Sequence, residues 1–248
     1  MITLFISDLH LDGSRPKITE QFLKLLKTEA RSASAVYILG DFFEAWIGDD
    51  DDDPHHATVM DALREFTQTS GVPVYLMHGN RDFLIGKRFA RRTGVQLLDD
   101  PTVIDLNGSP TLLAHGDALC TDDVQYQKAR VTIRSPLVKG IFLAMPLFMR
   151  RAYAAKLRRD SRAHTAGKAD YIMDVNQGAV EDAMQKHGVT RMIHGHTHRP
   201  AIHRFKSADG RQMERIVLGD WYDQASELRW DESGGTLADV RVTDGNAD

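Results

Sequence analysis

The chain has 248 residues, 42% hydrophobic and 27% charged, an ordinary soluble globular composition with ample length for a sizeable core. Its one cysteine, Cys120, excludes an internal disulfide framework and makes the reducing cytoplasm the default compartment. A net charge of -4 argues against a general nucleic-acid binder, and no stretch reads as a signal peptide or reaches the roughly 18 apolar residues of a membrane span.

The apolar, β-branched run Ile2–Ile6 predicts a first buried strand. Ile18, Phe22, Leu25 and Leu26 then share one helical face, Ala35–Leu39 is a second strand, and Val59, Met60, Leu63 and Phe66 form a second helical face. Val72–Met77 is a third strand. Val103–Leu106 and Thr111–Ala114 flank Asn107-Gly108, a strong hairpin signal. From about Val124 to Lys168 the rhythm breaks into a helical insertion, with eleven Lys or Arg from Lys128 to Lys168 against the single acid Asp160. Ile172, Val175, Ala179 and Ala183 make a third helical face before a strand at Arg191–Ile193. After Pro200 the helix period vanishes. Ala201–Phe205, Met213–Leu218, Ser226–Trp230 and Leu237–Val242 read as short strands separated by Asp209-Gly210, Gly219-Asp220 and Gly234-Gly235. The pattern is that of an α/β fold, mixed sheets flanked by helices, in a single domain over 1–248 with a helical insertion at 124–168.

Each buried strand is followed by side chains that bind metals. The sequences are Ser7-Asp8-Leu9-His10, Gly40-Asp41, Gly79-Asn80-Arg81-Asp82, His115-Gly116-Asp117 and His194-Gly195-His196-Thr197-His198. Asp8 and His10, like His196 and His198, are two apart and in extended chain would point to one side. The neighbouring glycines permit sharp turns. A pool of carboxylate, amide and imidazole without thiolate suits Mn²⁺, Fe or Zn²⁺ better than Ca²⁺. His78 and His194 read as core or as support behind the ligands, and His55, His56, His164, His187 and His203 as surface. Asp49–Asp53 reads as a solvated acidic loop, Phe43 and Trp46 as core, and Cys120 as structural.

In this order the blocks Asp-x-His, Gly-Asp, Gly-Asn-Arg-Asp, His-Gly-Asp and Gly-His-Thr-His resemble the calcineurin-like metallophosphoesterase superfamily, from residue 8 to residue 198. The resemblance implies a two-sheet sandwich and two metals, one held by Asp8, His10, Asp41 and His198, the other by Asp41, Asn80, His115 and His196. Two such ions would clamp the attacking and leaving oxygens of an in-line displacement and acidify a bridging water. Many superfamily members carry His where this chain has Arg81. Arginine stays protonated, so it clamps a phosphate oxygen but cannot act as general acid. A phosphate monoester leaving group, with a second pKa of about 6, needs no added proton. Arg81 therefore favours a pyrophosphate substrate, with attack on the phosphorus opposite the departing monoester; His196 stays a candidate proton donor.

The insertion carries a strongly apolar block, Leu137 to Met149, followed at once by Arg150, Arg151, Lys156, Arg158, Arg159 and Arg162. Apolar bulk beside dense positive charge fits an acyl-chain pocket or a membrane-surface contact, or else a structural helical cap. Leu39 to Asp50, Gly79 to Leu84, His115 to Asp123 and His194 to Pro200 resemble more closely the family of UDP-2,3-diacylglucosamine diphosphatases of lipid A synthesis. That resemblance implies hydrolysis of a UDP-linked diacylated glucosamine to UMP and the sugar 1-phosphate, two Mn²⁺ ions, and work at the inner-membrane surface as a cytoplasmic, peripherally bound protein with no obligate protein partner. It implies substrate contacts at Asn80, Arg81, Asp123, Ser161, Lys168 and His196, with Tyr126 and Arg158 added from the same segments. At Thr165 the family has Asn, and threonine loses the amide. A nucleotide pyrophosphatase or nuclease with the same metal site, and a silent binding module, are the rival readings.

Overall fold

The structure is a computed structural model that describes residues 2–165, 174–222 and 226–239, apart from the side chains of 160–165 and 239. In chain order the elements are β1 (Ile2–Ile6), α1 (Pro16–Lys27), β2 (Ala33–Leu39), α2 (Pro54–Ser70), β3 (Val74–Met77), α3 (Lys87–Thr93), β4 (Gln96–Leu98), β5 (Thr102–Leu106) and β6 (Ser109–Ala114). The insertion follows as α4 (Val124–Arg134), α5 (Pro136–Ala144) and α6 (Leu147–Thr165). The chain then runs through α7 (Gln177–Lys186), β7 (Arg191–His194), β8 (Ala201–Lys206), β9 (Gln212–Val217), β10 (Ser226–Asp231) and β11 (Gly234–Asp239).

The strands form two mixed sheets. One has the order β11-β10-β1-β2-β3-β4 and the other β5-β6-β7-β9-β8. In the first, β1 to β4 run parallel and β10 lies antiparallel against β1. In the second, β6, β7 and β9 are parallel, with antiparallel β5 and β8 at its edges. Side-chain alternation along each strand divides the apolar residues between two layers. Leu4 and Ile6, Val36 and Ile38, and Val74 and Leu76 face α1 and α2, while Phe5, Leu39 and Met77 face the second sheet and meet Leu113, Ile193 and Ile216 there. A third cluster seats Val180 and Met184 of α7 on Leu112, Met192 and Met213 of the second sheet's outer face. Strands covered on both sides read as continuous apolar runs, which is why the sequence exposes them so plainly.

The structure corrects several local readings. Val175 belongs to the chain entering α7, whose first turn is capped by Asn176, and Ile172 lies outside the described residues, as does Val242. Gly234 and Gly235 open β11 and are not the turn before it. A Cβ on Gly235 would stand 2.6 Å from the Trp230 ring, so packing requires glycine there. His56 is buried, edge-on to Phe43 and tilted against Trp46, because Asp51 accepts from its Nδ1 at 3.1 Å and lets the ring enter the core.

The acidic run is no solvated loop. Asp49 accepts from the backbone N–H groups of Gly86, Arg88 and Phe89 and so caps α3. Asp50 and the backbone oxygen of Ile47 hold Arg150 of α6, which is only 2% exposed. Asp51 and Asp52 pair with Arg151, and Asp53 caps α2. Successive carboxylates point in different directions, and each meets a donor, with Asp51 and Asp52 sharing Arg151.

Candidate metal centre

β1, β2, β3, β6 and β7 all end on one rim of the sandwich, and the five ligand-rich segments start there. The extended geometry expected for Asp-x-His does not occur. Asp8, His10, Asp41, His196 and His198 all have positive φ, between 48° and 70°. Left-handed backbone at a non-glycine residue costs on the order of 1–3 kcal/mol, so five such residues persist only where the surroundings fix them. Here backbone bonds tie the segments together. Asp8 N donates to Gly40 O at 3.1 Å, and His10 N to Asp41 O at 2.9 Å. Buried Asp82 accepts from Phe42 N and Gly79 N, both at 2.7 Å. Burial and the Asp41 carboxylate beside it push Asp82 up to about 6. Gly79 and Gly195 serve by close approach and not by turning. A Cβ on the first would lie 2.1 Å from Asp41 Oδ1, and one on the second 2.0 Å from Ser7 Oγ.

The side chains gather in two groups, Asp8, His10 and His198, and Asp41, His115 and His196; within each, the ligand atoms lie inside 4.8 Å of one another. Asp41 faces both, with Oδ2 3.7 Å from His10 Nε2 and Oδ1 3.7 Å from His115 Nε2. Asn80 Oδ1 stands 3.1 Å from His115 Nε2 and joins the second group. His198 Nε2 is 3.3 Å from Asp8 Oδ1. Asp8 Oδ1 and His10 Nε2 are buried without a hydrogen-bond partner, while Asp8 Oδ2 accepts from Ser7 Oγ and His196 N. Buried orphan groups are rare, and a bare carboxylate oxygen opposite a bare imidazole nitrogen fits a cation between them.

Three of the histidines are aimed from behind. His10 Nδ1 lies 3.2 Å from Glu44, His198 Nδ1 3.0 Å from Asp220, and His115 Nδ1 2.9 Å from Leu39 O, which leaves each Nε2 for the centre. Tyr222 stacks on His10 and donates its hydroxyl to Glu44 at 2.8 Å. Sequence reading missed Glu44, Asp220 and Tyr222, because no spacing relates them to the ligands they hold.

Charge in the site is strongly coupled. Burial opposes ionisation of Asp8, yet its contact with His198, together with His115 and His10, holds it well below the usual carboxylate range. Burial lowers His115, but Asp41, Asp8, Asp117 and Asp100 outweigh it and hold the ring up at about 9. His198 is raised to about 10 by Asp220 and Asp8 against the same burial. Burial and the neighbouring His115 keep His196 down at about 4. So many carboxylates facing imidazoles form a basin that binds either protons or metal cations.

The remaining site residues lie around this basin. Arg81 N donates to Asp41 Oδ1 at 2.8 Å, and its Nε is buried without a partner. The Tyr126 ring stacks 6.1 Å from His196, with its hydroxyl donating to Asp117 at 2.9 Å. Asp123 caps α4 by accepting from Tyr126 N. Arg158 reaches back toward Asp12 at 4.0 Å. Lys168 and the side chains of Ser161 and Thr165 lie outside the described residues. Asp117, unassigned in the sequence reading, anchors the insertion by accepting from Arg130 Nε at 2.7 Å and Arg134 Nη2 at 3.0 Å.

A family profile described as calcineurin-like phosphoesterase matches residues 1–200. The UDP-2,3-diacylglucosamine hydrolase of Stenotrophomonas maltophilia (strain R551-3) is 52% identical over 244 residues, covering 96% of this chain and 98% of its own. Proteins of the same name are 53% identical in Pseudomonas fluorescens (strain SBW25), over 95% of this chain and 94% of the relative, and 56% identical in Marinobacter nauticus, over 89% and 90%.

Proposed function

The chain belongs to the calcineurin-like phosphoesterase family, and from that premise we propose that it hydrolyses the pyrophosphate bond of UDP-2,3-diacylglucosamine to UMP and 2,3-diacylglucosamine 1-phosphate, a step of lipid A synthesis. The observation that carries the substrate is the extent of the identity. A relative so named matches 96% of this chain, through the insertion as well as the ligand rim.

Asp8, His10, Asp41 and His198 would hold one divalent ion, and Asp41, Asn80, His115 and His196 the other. The mixed oxygen and imidazole donors suit Mn²⁺. Such ions supply Lewis acidity and acidify bound water. The chain's own residues do the rest. Arg81, fixed through its backbone on Asp41 and with a free Nε, clamps a phosphoryl oxygen. The departing sugar phosphate is a stable anion near neutral pH and needs no acid. His196, which would hold the second ion and touch the substrate, is the other catalytic candidate beside Arg81. Asn80, Asp123, Tyr126, Arg158, Ser161, Thr165 and Lys168 complete the substrate contacts.

The domain spans 1–248, with 124–168 as a lid. Leu137, Ile141 and Phe148 on it are 74%, 61% and 71% exposed, which suits contact with acyl chains and with the inner face of the inner membrane. No helix of the described residues is long and apolar enough to cross a membrane. Hydrolysis in ¹⁸O-water, read by mass spectrometry, tests the reaction and its direction. The label is expected in UMP, with the lipid phosphate unlabelled. Label in the lipid phosphate would reverse the substrate across the site, and absence of both products would remove the assignment.

A further inference from the structure

Beside the metal centre, on the outer face of the second sheet, lies a cavity of about 410 Å³ that none of the preceding roles uses. Its wall is formed by Asp174, Thr197, Pro200, Ala201, Arg215 and Val217, with the basic side chains Arg199 and His203 beside them. Thr197 sits between His196 and His198, so the cavity and the metal centre share a wall.

Arg215 is the unusual member. It is 7% exposed, and among the described residues no carboxylate comes within ion-pair distance of it, although the Asp174 charge is felt from the same cavity. Among the described residues its one side-chain hydrogen bond is from Nη1 to His194 Nε2, long at 3.4 Å, and its Nε has no partner. His194 Nδ1 must donate to Gly195 O at 2.8 Å, so Nε2 is the accepting nitrogen of a neutral ring. A buried guanidinium satisfied only by one weak contact is costly and calls for an acceptor from outside. The Thr197 hydroxyl is likewise buried without a partner.

The occupant follows from the remaining wall. Asp174 carries a negative charge, with one oxygen 3.1 Å from Arg199 Nη1 and the other accepting from Val175 N. A carboxylate has about four acceptor sites, so it can take another N–H. Arg199 offsets that charge, so what the wall leaves for a ligand is the Arg215 and Thr197 donors beside the remaining Asp174 acceptor sites, a pairing that matches a group with both a carbonyl oxygen and an N–H. Pro200, Ala201 and Val217 offer apolar surface to a flat ring. A wall mostly apolar with a few fixed polar groups is the usual form of a small-molecule pocket.

We propose that this cavity receives the uracil ring of the nucleotide half of the substrate, with Arg215 donating to the ring O4 and Asp174 accepting from the ring N3–H. The proposal rests on the substrate assigned above. Cytosine has a lone pair where uracil has that N–H and an amino group where uracil has a carbonyl, so it meets Asp174 and Arg215 with the wrong polarity.

The test compares UDP- and CDP-linked diacylglucosamine as substrates of the metal-loaded enzyme. Wild type is expected to favour the uracil substrate by about thirtyfold or more in kcat/KM, because a site built on hydrogen bonds rejects mismatched analogues strongly. Arg215→Met is expected to reduce that ratio to about threefold or less, mainly through KM for the uracil substrate. Asp174→Asn, at a partly exposed residue whose change should leave folding intact, is expected to narrow the ratio by improving the cytosine substrate. If Arg215→Met fails to fold, the Asp174→Asn ratio decides. A wild-type ratio near one, or a ratio that neither variant moves, overturns the proposal while leaving the hydrolase reading in place. Free uridine and cytidine, followed by saturation-transfer NMR, separate the two claims from the other side. Selective uridine binding lost in Arg215→Met, in an enzyme that does not hydrolyse the lipid nucleotide, keeps the pocket and removes the substrate assignment.

Discussion

The ligand rim and the helical insertion are built on opposite principles. On the rim, five residues in left-handed backbone are locked by backbone hydrogen bonds and by carboxylates such as Asp82, and Asp8, His10 and His115 are buried almost completely. In the insertion, no residue of α4 or α5 is buried, and large apolar side chains lie open. Many of its attachments are polar. Arg130 and Arg134 hold Asp117, Lys139 donates to Phe83 O, and Arg150 and Arg151 hold the acidic run after β2. Chemistry that needs fixed atoms sits on strand ends braced from behind. The apolar surface sits on helices fastened by charge, where it can meet a partner too large or too variable for a rigid pocket.

The comparison breaks first at Asp41. Asp41→Ala removes the side chain shared by both ligand groups, and kcat/KM is expected to fall at least about a thousandfold. Elemental analysis of the same purified variant should find fewer than two metal equivalents. Turnover close to wild type would mean that the rim does not work as a coupled pair.

A smaller effect is expected in the insertion. Leu137→Asp and Ile141→Asp change exposed residues and should leave folding intact. Each places charge where an acyl chain would bury methylenes worth about 0.8 kcal/mol apiece, so KM for the lipid substrate is expected to rise about tenfold. Hydrolysis of a small soluble phosphodiester should not change. Equal loss on both substrates would make the apolar block a structural cap.

The mildest test sharpens the boundary between the two regions. Arg150→Met removes hydrogen bonds to Asp50, Ile47 O and Met145 O, with a cost of about 1–3 kcal/mol. If the insertion is fastened there, hydrogen exchange should accelerate through α5 and α6 while metal content stays at two equivalents. Unchanged exchange in those helices would show that the other attachments suffice.

Much of this was legible in the chain. Strands buried on both faces give unbroken apolar runs, and helices resting on them keep a 3.6-residue period, so Ile2–Ile6, Ala35–Leu39 and the Phe22 and Leu63 faces were found close to their true bounds. β4 was missed because three residues at a sheet edge carry no period. That the seven candidate ligand side chains would gather was legible because each follows a strand, and strand ends of parallel sheets meet on one rim.

Tertiary structure decided what distance along the chain cannot encode. Glu44 and Asp220 stand behind His10 and His198, the five aspartates after Gly48 each find a donor, and Arg215 is buried with no carboxylate in ion-pair distance among the described residues. The sequence determines which side chains can ionise, donate or coordinate, because that is fixed by residue type. Whether a carboxylate braces a histidine, caps a helix or fastens a neighbouring helix depends on which donor lies within about 3 Å, and only the packed sheets set that distance.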